Sequence, residues 1–338
     1  MQSKLKWIVA GIGIGLAFLW LALRQADFAA SWQVLRGVHA GWTVAAFAAG
    51  VAFMAVKSWR WSIILRPVLP IGFNRLHQAV YIGTAANLVV AHSGEILRAT
   101  LIARQQGAAS SAVLATIAIE RILDFIALVL LTGIALLLDE RVSPLLWSAG
   151  LISLAFVATG LLGVLAFLYP GPRLQRWGNG LLGLLPEKPQ RWIANQLQRG
   201  VAGLRSLQDP VAVVKVIALS LLQWSCIVAA VAASAMAVDV AIPLSGAIAV
   251  FVLTVIGLTL PSSPAQLGTT QLAFVVGLEL VGAGAASAFA ASLVYTCFVV
   301  VAMMVLGALC WMATSWSPQE ATRDVGVFSA TGRLEPRQ

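Results

Sequence analysis

The string Ile119-Glu120-Arg121-Ile122-Leu123-Asp124 sets two carboxylates and a guanidinium into residues 112–138, which are otherwise uncharged and apolar. A charge at the centre of a membrane helix costs roughly 2.5–3.5 kcal/mol on insertion scales, so such a group needs partners, water or a task. Arg121 and Asp124, three apart, can meet on one helix face. Glu120 and Asp124, four apart, share a neighbouring face, and Arg121 alone cannot satisfy both. The chemistry open to this group is the binding and release of a proton, a cation or a polar head inside an apolar medium.

Two further apolar segments carry polar interruptions. In the first, 77–106, Asn87 precedes a cluster of His92, Ser93, Gly94, Glu95 and Arg98. Gly94 permits unusual backbone angles where a helix unwinds, and the freed N–H groups of a restarting helix form an anion site. Arg98 offers a planar, permanently charged fork suited to phosphate. Glu95 and Arg98, three apart, can instead pair with each other. In the second segment, 244–281, Pro261 and Pro264 remove backbone donors and stop a helix. Ser262, Ser263, Gln266, Thr269, Thr270 and Gln271 then supply neutral hydrogen-bonding groups around Gly268. No His or acid stands beside these serines in sequence, so no nucleophile is indicated. Glu95, Glu120 and Asp124 against Arg98 and Arg121 leave one negative charge, free to take a proton or cation.

The elements that position these residues are membrane helices. The chain is 60% hydrophobic and 10% charged, with mean hydropathy +0.90, a composition of polytopic membrane proteins that leaves no room for a sizeable soluble domain. The net charge of +9 is scattered over membrane-flanking loops, so it points to anionic lipid headgroups and not to nucleic acid. Cys226, Cys297 and Cys310 lie in apolar runs and read as buried small hydrophobes; His39, His77 and His92 have no metal-ligand spacing. No metal or cofactor is expected. Lys4 and Lys6 precede the apolar residues 7–23, which are long for a signal peptide and read as an uncleaved first span.

The fold expected is an all-α polytopic membrane protein with about six full spans, at 5–23, 41–65, 111–138, 145–169, 211–238 and 286–313, plus the two broken segments. Each half of a broken segment is short for a crossing and suits a re-entrant helix. If each dips in and returns, Lys4 and Lys6, the group Lys57, Arg60, Arg66 and Arg75, and the group Arg173, Arg176, Lys188, Arg191, Arg199 and Arg205 all fall on the cytoplasmic side, as the positive-inside rule prefers. Two full crossings per segment give the same sidedness. Both termini are then cytoplasmic. Residues 1–316 form one membrane domain whose halves, about 1–138 and 145–313, repeat the order span, span, broken segment, span with inverted orientation. The basic loop 170–208 includes an interfacial amphipathic segment at 190–207, and the polar tail 317–338 reads as disordered.

The string from Asn87 to Arg98, with Glu120-Arg121-Ile122-Leu123-Asp124, resembles the lysylphosphatidylglycerol synthase transmembrane-domain family, also called flippase-like domain proteins. Pro261-Ser262-Ser263-Pro264 followed by Gly268-Thr269-Thr270-Gln271 is similar to that family's second motif, especially in a hopanoid-biosynthesis-associated branch. Val90 stands where the family usually has Pro, His92 where it has Arg, and Ala265-Gln266 where a glycine pair is usual. The resemblance covers roughly 5–313. It implies a bacterial inner-membrane protein that translocates a lipid with a polar or phosphate head between leaflets. The spare carboxylate, free to take a proton or cation, fits a proton-coupled lipid or anion carrier. Members fused to a soluble aminoacyl-transferase domain also make an aminoacylated lipid; this chain shows no such domain and is not expected to be an enzyme. The alternative is a membrane-embedded enzyme, or an accessory subunit partnered with an enzyme, of isoprenoid-lipid, hopanoid or glycolipid synthesis.

Overall fold

The computed structural model describes residues 16–24, 27–90, 93–106, 108, 110–138, 155, 210–259 and 264–314. Most of the span at 5–23, nearly all of the span at 145–169, the loop 170–208, the tail 317–338, and His92, Pro261, Ser262 and Ser263 lie outside the described residues. Within them the chain is helical and has no strand. A helical stretch, 16–24, is followed by α1 (Phe28–Arg36), whose N-terminus is capped by Asp27: its carboxylate accepts from the N–H groups of Ala29 and Ala30 at 2.8 and 3.4 Å. Then come α2 (Ala40–Leu65), α3 (Phe73–Val89), α4 (Ser93–Gln105), α5 (Ser110–Leu138), α6 (Pro210–Met236), α7 (Leu244–Thr259), α8 (Thr269–Glu279) and α9 (Ala285–Tyr295). The last continues through a widened π-helical turn, Thr296–Val301, into α10 (Ala302–Ala313).

Three helical stretches, Ala40–Leu65, Val211–Met236 and Ala285–Ala313, are long and apolar enough to cross a bilayer. At 1.5 Å per residue the 26-residue α2 reaches about 39 Å, beyond the roughly 30 Å hydrocarbon layer. Large side chains such as Val214, Val305 and Met312 stay exposed on their flanks, as lipid-facing positions do. α5 has 29 residues and the length to span, with the three charges in its middle.

α2 lies along α6 over much of their length. The two run antiparallel, because the start of α2 meets the end of α6: the His39 N–H donates to the Ala237 carbonyl at 2.9 Å, and His39 Nε2 stands 3.0 Å from Asp239. Around this pair, α3 packs on α10 and α7 packs on α5. Each broken segment folds back on itself as a hairpin, α3 against α4 and α7 against α8.

The first hairpin is closed by its own polar groups. Ser93 Oγ donates to the carbonyls of Val90 and Ala86 at 2.7 and 3.0 Å, and the Gly94 N–H donates to Asn87 Oδ1 at 2.7 Å. Backbone approaches backbone there: a Cβ on Gly94 would sit 1.8 Å from the Gly83 carbonyl oxygen. In the second hairpin the turn runs through left-handed backbone at Ala265 (φ 56°), Gln266 (φ 59°) and Gly268 (φ 89°). Gln271 reaches back to accept from the Gly268 N–H at 2.6 Å and donates from Nε2 to Thr296 Oγ1 at 3.0 Å, tying the break to the widened turn.

One sequence expectation is corrected by this arrangement. Lys57 and Arg60, grouped above with a cytoplasmic loop, lie inside α2 and are buried at 9% and 0% exposure. Two charges therefore leave the cytoplasmic loop and belong to the interior.

Candidate functional site

α5 presents Glu120 and Asp124 to a guanidinium from α2. Arg60 donates to Asp124 at 2.7 Å and to Glu120 at 3.3 Å. Arg98, brought back by the α3–α4 hairpin, binds the other oxygen of Glu120. Arg121 stands 3.6 Å from both Asp124 and Glu95. The six groups form one alternating chain, Arg98–Glu120–Arg60–Asp124–Arg121–Glu95, in which each carboxylate faces a guanidinium and the charges cancel. Neutral side chains from α6 complete it. Ser220 Oγ accepts from Arg60 at 3.0 Å, Trp224 Nε1 donates to Asp124 at 3.0 Å, and Gln223 Nε2 lies 3.5 Å from the same oxygen. The Arg98 guanidinium also stacks 4.5 Å from the Trp61 ring centroid, and Trp61 Nε1 is fixed on Thr116 at 3.0 Å.

Desolvating this many charges is offset only where geometry is good and further hydrogen bonds fill the free positions. Here that condition is met only in part. Arg60 Nε, Arg98 Nη1, Arg121 Nε, Glu95 Oε2, Asp124 Oδ2 and Gln223 Oε1 are buried without a hydrogen bond.

Beside the chain lies a cavity of about 220 Å³. Its polar wall includes Lys57, Asn87, Glu95, Arg121 and Gln266, and its apolar wall includes Phe53, Ile227, Phe251, Val299 and Met303. Among the described residues Lys57 makes no ion pair or hydrogen bond; its Nζ stands 5.6 Å from the Phe53 ring centroid. With Lys57 included, four cations oppose three carboxylates. The spare charge is positive, not negative as the count from Glu95, Arg98, Glu120, Arg121 and Asp124 alone suggested.

The residues expected from sequence separate into three roles. Asn87, Glu95, Arg121 and Gln266 line the cavity. Arg98, Glu120 and Asp124 stand in the ionic chain and do not line it; Arg98 is 3% exposed and committed to Glu120, so it is not a free phosphate fork. Gly94, Gly268, Thr269 and Gln271 shape the two breaks. Glu95 and Arg98 pair with Arg121 and Glu120 and not with each other. The Gly94 N–H, an expected anion donor, is taken by Asn87. His92, Ser262 and Ser263 fall outside the described residues. Among the described residues no group of His, Cys, Asp and Glu is arranged to hold a metal.

Sequence reasoning missed Arg60, Lys57, Ser220, Gln223 and Trp224. A signal was present for the first two: Lys57 and Arg60 are three apart, on one face of a 26-residue apolar helix and short of its end. The α6 residues carried none, because a Ser, Gln and Trp in an apolar span are each unremarkable alone.

A search of curated proteins finds no match to this chain. The profile of the lysylphosphatidylglycerol synthase TM region matches residues 8–307, and the chain belongs to that family of membrane proteins.

Proposed function

We propose that this family member is a lipid flippase or transporter that moves a lipid with a polar or phosphate head between leaflets. The observation that carries the reading is the cavity itself. It joins ionic side chains to aromatic and aliphatic ones, and all three described helices long and apolar enough to cross a membrane contribute to its wall. About 220 Å³ accommodates a headgroup and not two acyl chains, so the chains would remain in the bilayer while the head crosses beside Lys57, Glu95 and Arg121. Charged groups inside a membrane domain mark such pathways.

The reading includes an inverted repeat of about 1–138 and 145–313 with six full spans, two re-entrant hairpins and cytoplasmic termini. The packing supports it. α2 and α6 take equivalent places, as do the α3–α4 and α7–α8 hairpins; α3 rests on α10 as α7 rests on α5. The halves differ in chemistry. The first supplies the ions, and the second supplies Gln266, Gln271 and Thr296 as a neutral wall and brace. Proton coupling no longer rests on a surplus carboxylate. Glu95 is the carboxylate that lines the cavity among the described residues, and its Oε2 is unpartnered, so it is the group proposed to carry a proton. The reading makes the protein a carrier in the bacterial inner membrane and not an enzyme, with a lipid-biosynthesis enzyme as the proposed partner. Hopanoid and phospholipid pathways are the proposed settings.

The test uses vesicles containing the purified protein and a fluorescent phospholipid, bleached from outside by a membrane-impermeant reductant. Bleaching is expected to pass beyond the outer leaflet for wild type. It should be strongly slowed in Arg121→Ala, and in Glu95→Gln it should no longer respond to a pH gradient. Bleaching that stops at the outer leaflet in every sample, with correctly folded protein present, contradicts the proposal.

A further inference from the structure

We infer that Lys57 is the counter-charge for a lipid phosphate, so that the cavity selects a head with one net negative charge over a zwitterionic head carrying the same phosphodiester. The inference rests on the carrier reading above and names its substrate class.

The three arginines and three carboxylates of the ionic chain balance one another in charge, so they offer no net charge to a ligand. Lys57 is the seventh group. It is 9% exposed, lines the cavity, and has no anionic or hydrogen-bonding partner among the described residues. Lys57 Nζ opens onto the cavity with the Phe53 ring 5.6 Å away, and the like charge of Arg60 one helical turn along adds repulsion that an incoming anion offsets. A single anion entering the cavity brings the local sum to zero. Donors for its oxygens are at hand: Lys57 Nζ, the partly exposed Arg121 guanidinium (43%) and Gln266. Charge-assisted contacts of this kind are the strong ones.

A zwitterionic head adds its own cation to a wall that already has one in excess. It meets one carboxylate there, Glu95, which Arg121 already approaches at 3.6 Å. The net charge of the head, and not the phosphate alone, is therefore the selected property.

The experiment is a titration of detergent-solubilised protein with short-chain phosphatidylmethanol, short-chain phosphatidylcholine and inorganic phosphate, followed through the fluorescence of Trp224 on the cavity wall, with Trp224→Phe identifying its signal. Phosphatidylmethanol is expected to bind about tenfold more tightly than phosphatidylcholine, because the choline cation meets the excess positive charge of the wall. Lys57→Met should remove that advantage and Lys57→Arg should retain it. Because Lys57→Met deletes an unpaired cation, its thermal stability should equal or exceed that of wild type. Equal binding of the two lipids, or an unchanged preference in Lys57→Met, overturns the inference. Inorganic phosphate binding as tightly as phosphatidylmethanol assigns the site to a free anion and overturns the lipid part. Bleaching of long-chain fluorescent versions of both lipids in vesicles separates the two ideas. Translocation without preference defeats only the selectivity, whereas selective binding without translocation defeats the carrier reading.

Discussion

Arg60 touches both Glu120 and Asp124 and is fully buried, which makes it the residue on which the ionic chain turns. Arg60→Met leaves two buried carboxylates short of a cation, and an expected loss of about 3–5 kcal/mol follows. Lys57→Met, one turn away on the same helix, should cost nothing. Thermal unfolding of the two purified variants checks the contrast, and equal losses would show that Lys57 has a partner after all. Much of this site was legible at the residue scale. Glu120, Arg121 and Asp124 stood out because nothing else in 112–138 is charged. Their pairing was not legible. Arg121 and Asp124 do approach as their spacing allows, yet Arg98 reaches Glu120 only because the chain folds back between them. Lys57 and Arg60 were misplaced because, near the end of an apolar run, sequence alone does not separate a buried cation from a loop cation.

At the scale of elements, the two breaks are held by different means. Asn87 and Ser93 close the first, and the Gly83–Gly94 approach sets its angle. A methyl at Gly94 would meet backbone, which cannot give way as a side chain can. Gly94→Ala is expected to destabilise by at least about 3 kcal/mol, the upper end of overpacking costs, and to stop translocation; normal unfolding of that variant would contradict the hairpin. The second break passes through Ala265 in left-handed backbone, where a side chain costs about 1 kcal/mol or somewhat more. Ala265→Gly should therefore raise stability by about 1 kcal/mol, measured by the same unfolding, and a loss would argue against the positive φ. The sequence marked both interruptions through Gly94 and the Pro261–Gly268 stretch. It did not reveal that Gln271 joins its break to the widened turn at Thr296, since 25 residues separate the two.

At the scale of the whole molecule, the antiparallel α2–α6 pair forms the axis on which the two hairpins are arranged. Composition and hydropathy made the membrane class plain, because the apolar runs could not be buried in so small a soluble protein. The proposed repeat is legible only as an order of segments, because the two stretches show no residue-by-residue likeness. With Cys226, Cys297 and Cys310 replaced by Ser, Asp239→Cys should react with an impermeant thiol reagent from outside the cell. Arg75→Cys should react only after the cytoplasmic face is opened. Labelling of both from one face would contradict the proposed inverted arrangement.

The central claim is that a lipid head crosses through the cavity between Lys57, Glu95, Arg121 and Gln266. Thr84 lines that cavity outside the ionic chain, so a large side chain there obstructs space without touching a charge. Leaflet bleaching in vesicles should show translocation abolished in Thr84→Trp and preserved in Thr84→Ala, with both variants unfolding near the wild-type temperature. Wild-type translocation through Thr84→Trp, in a protein shown to be folded, would contradict the account.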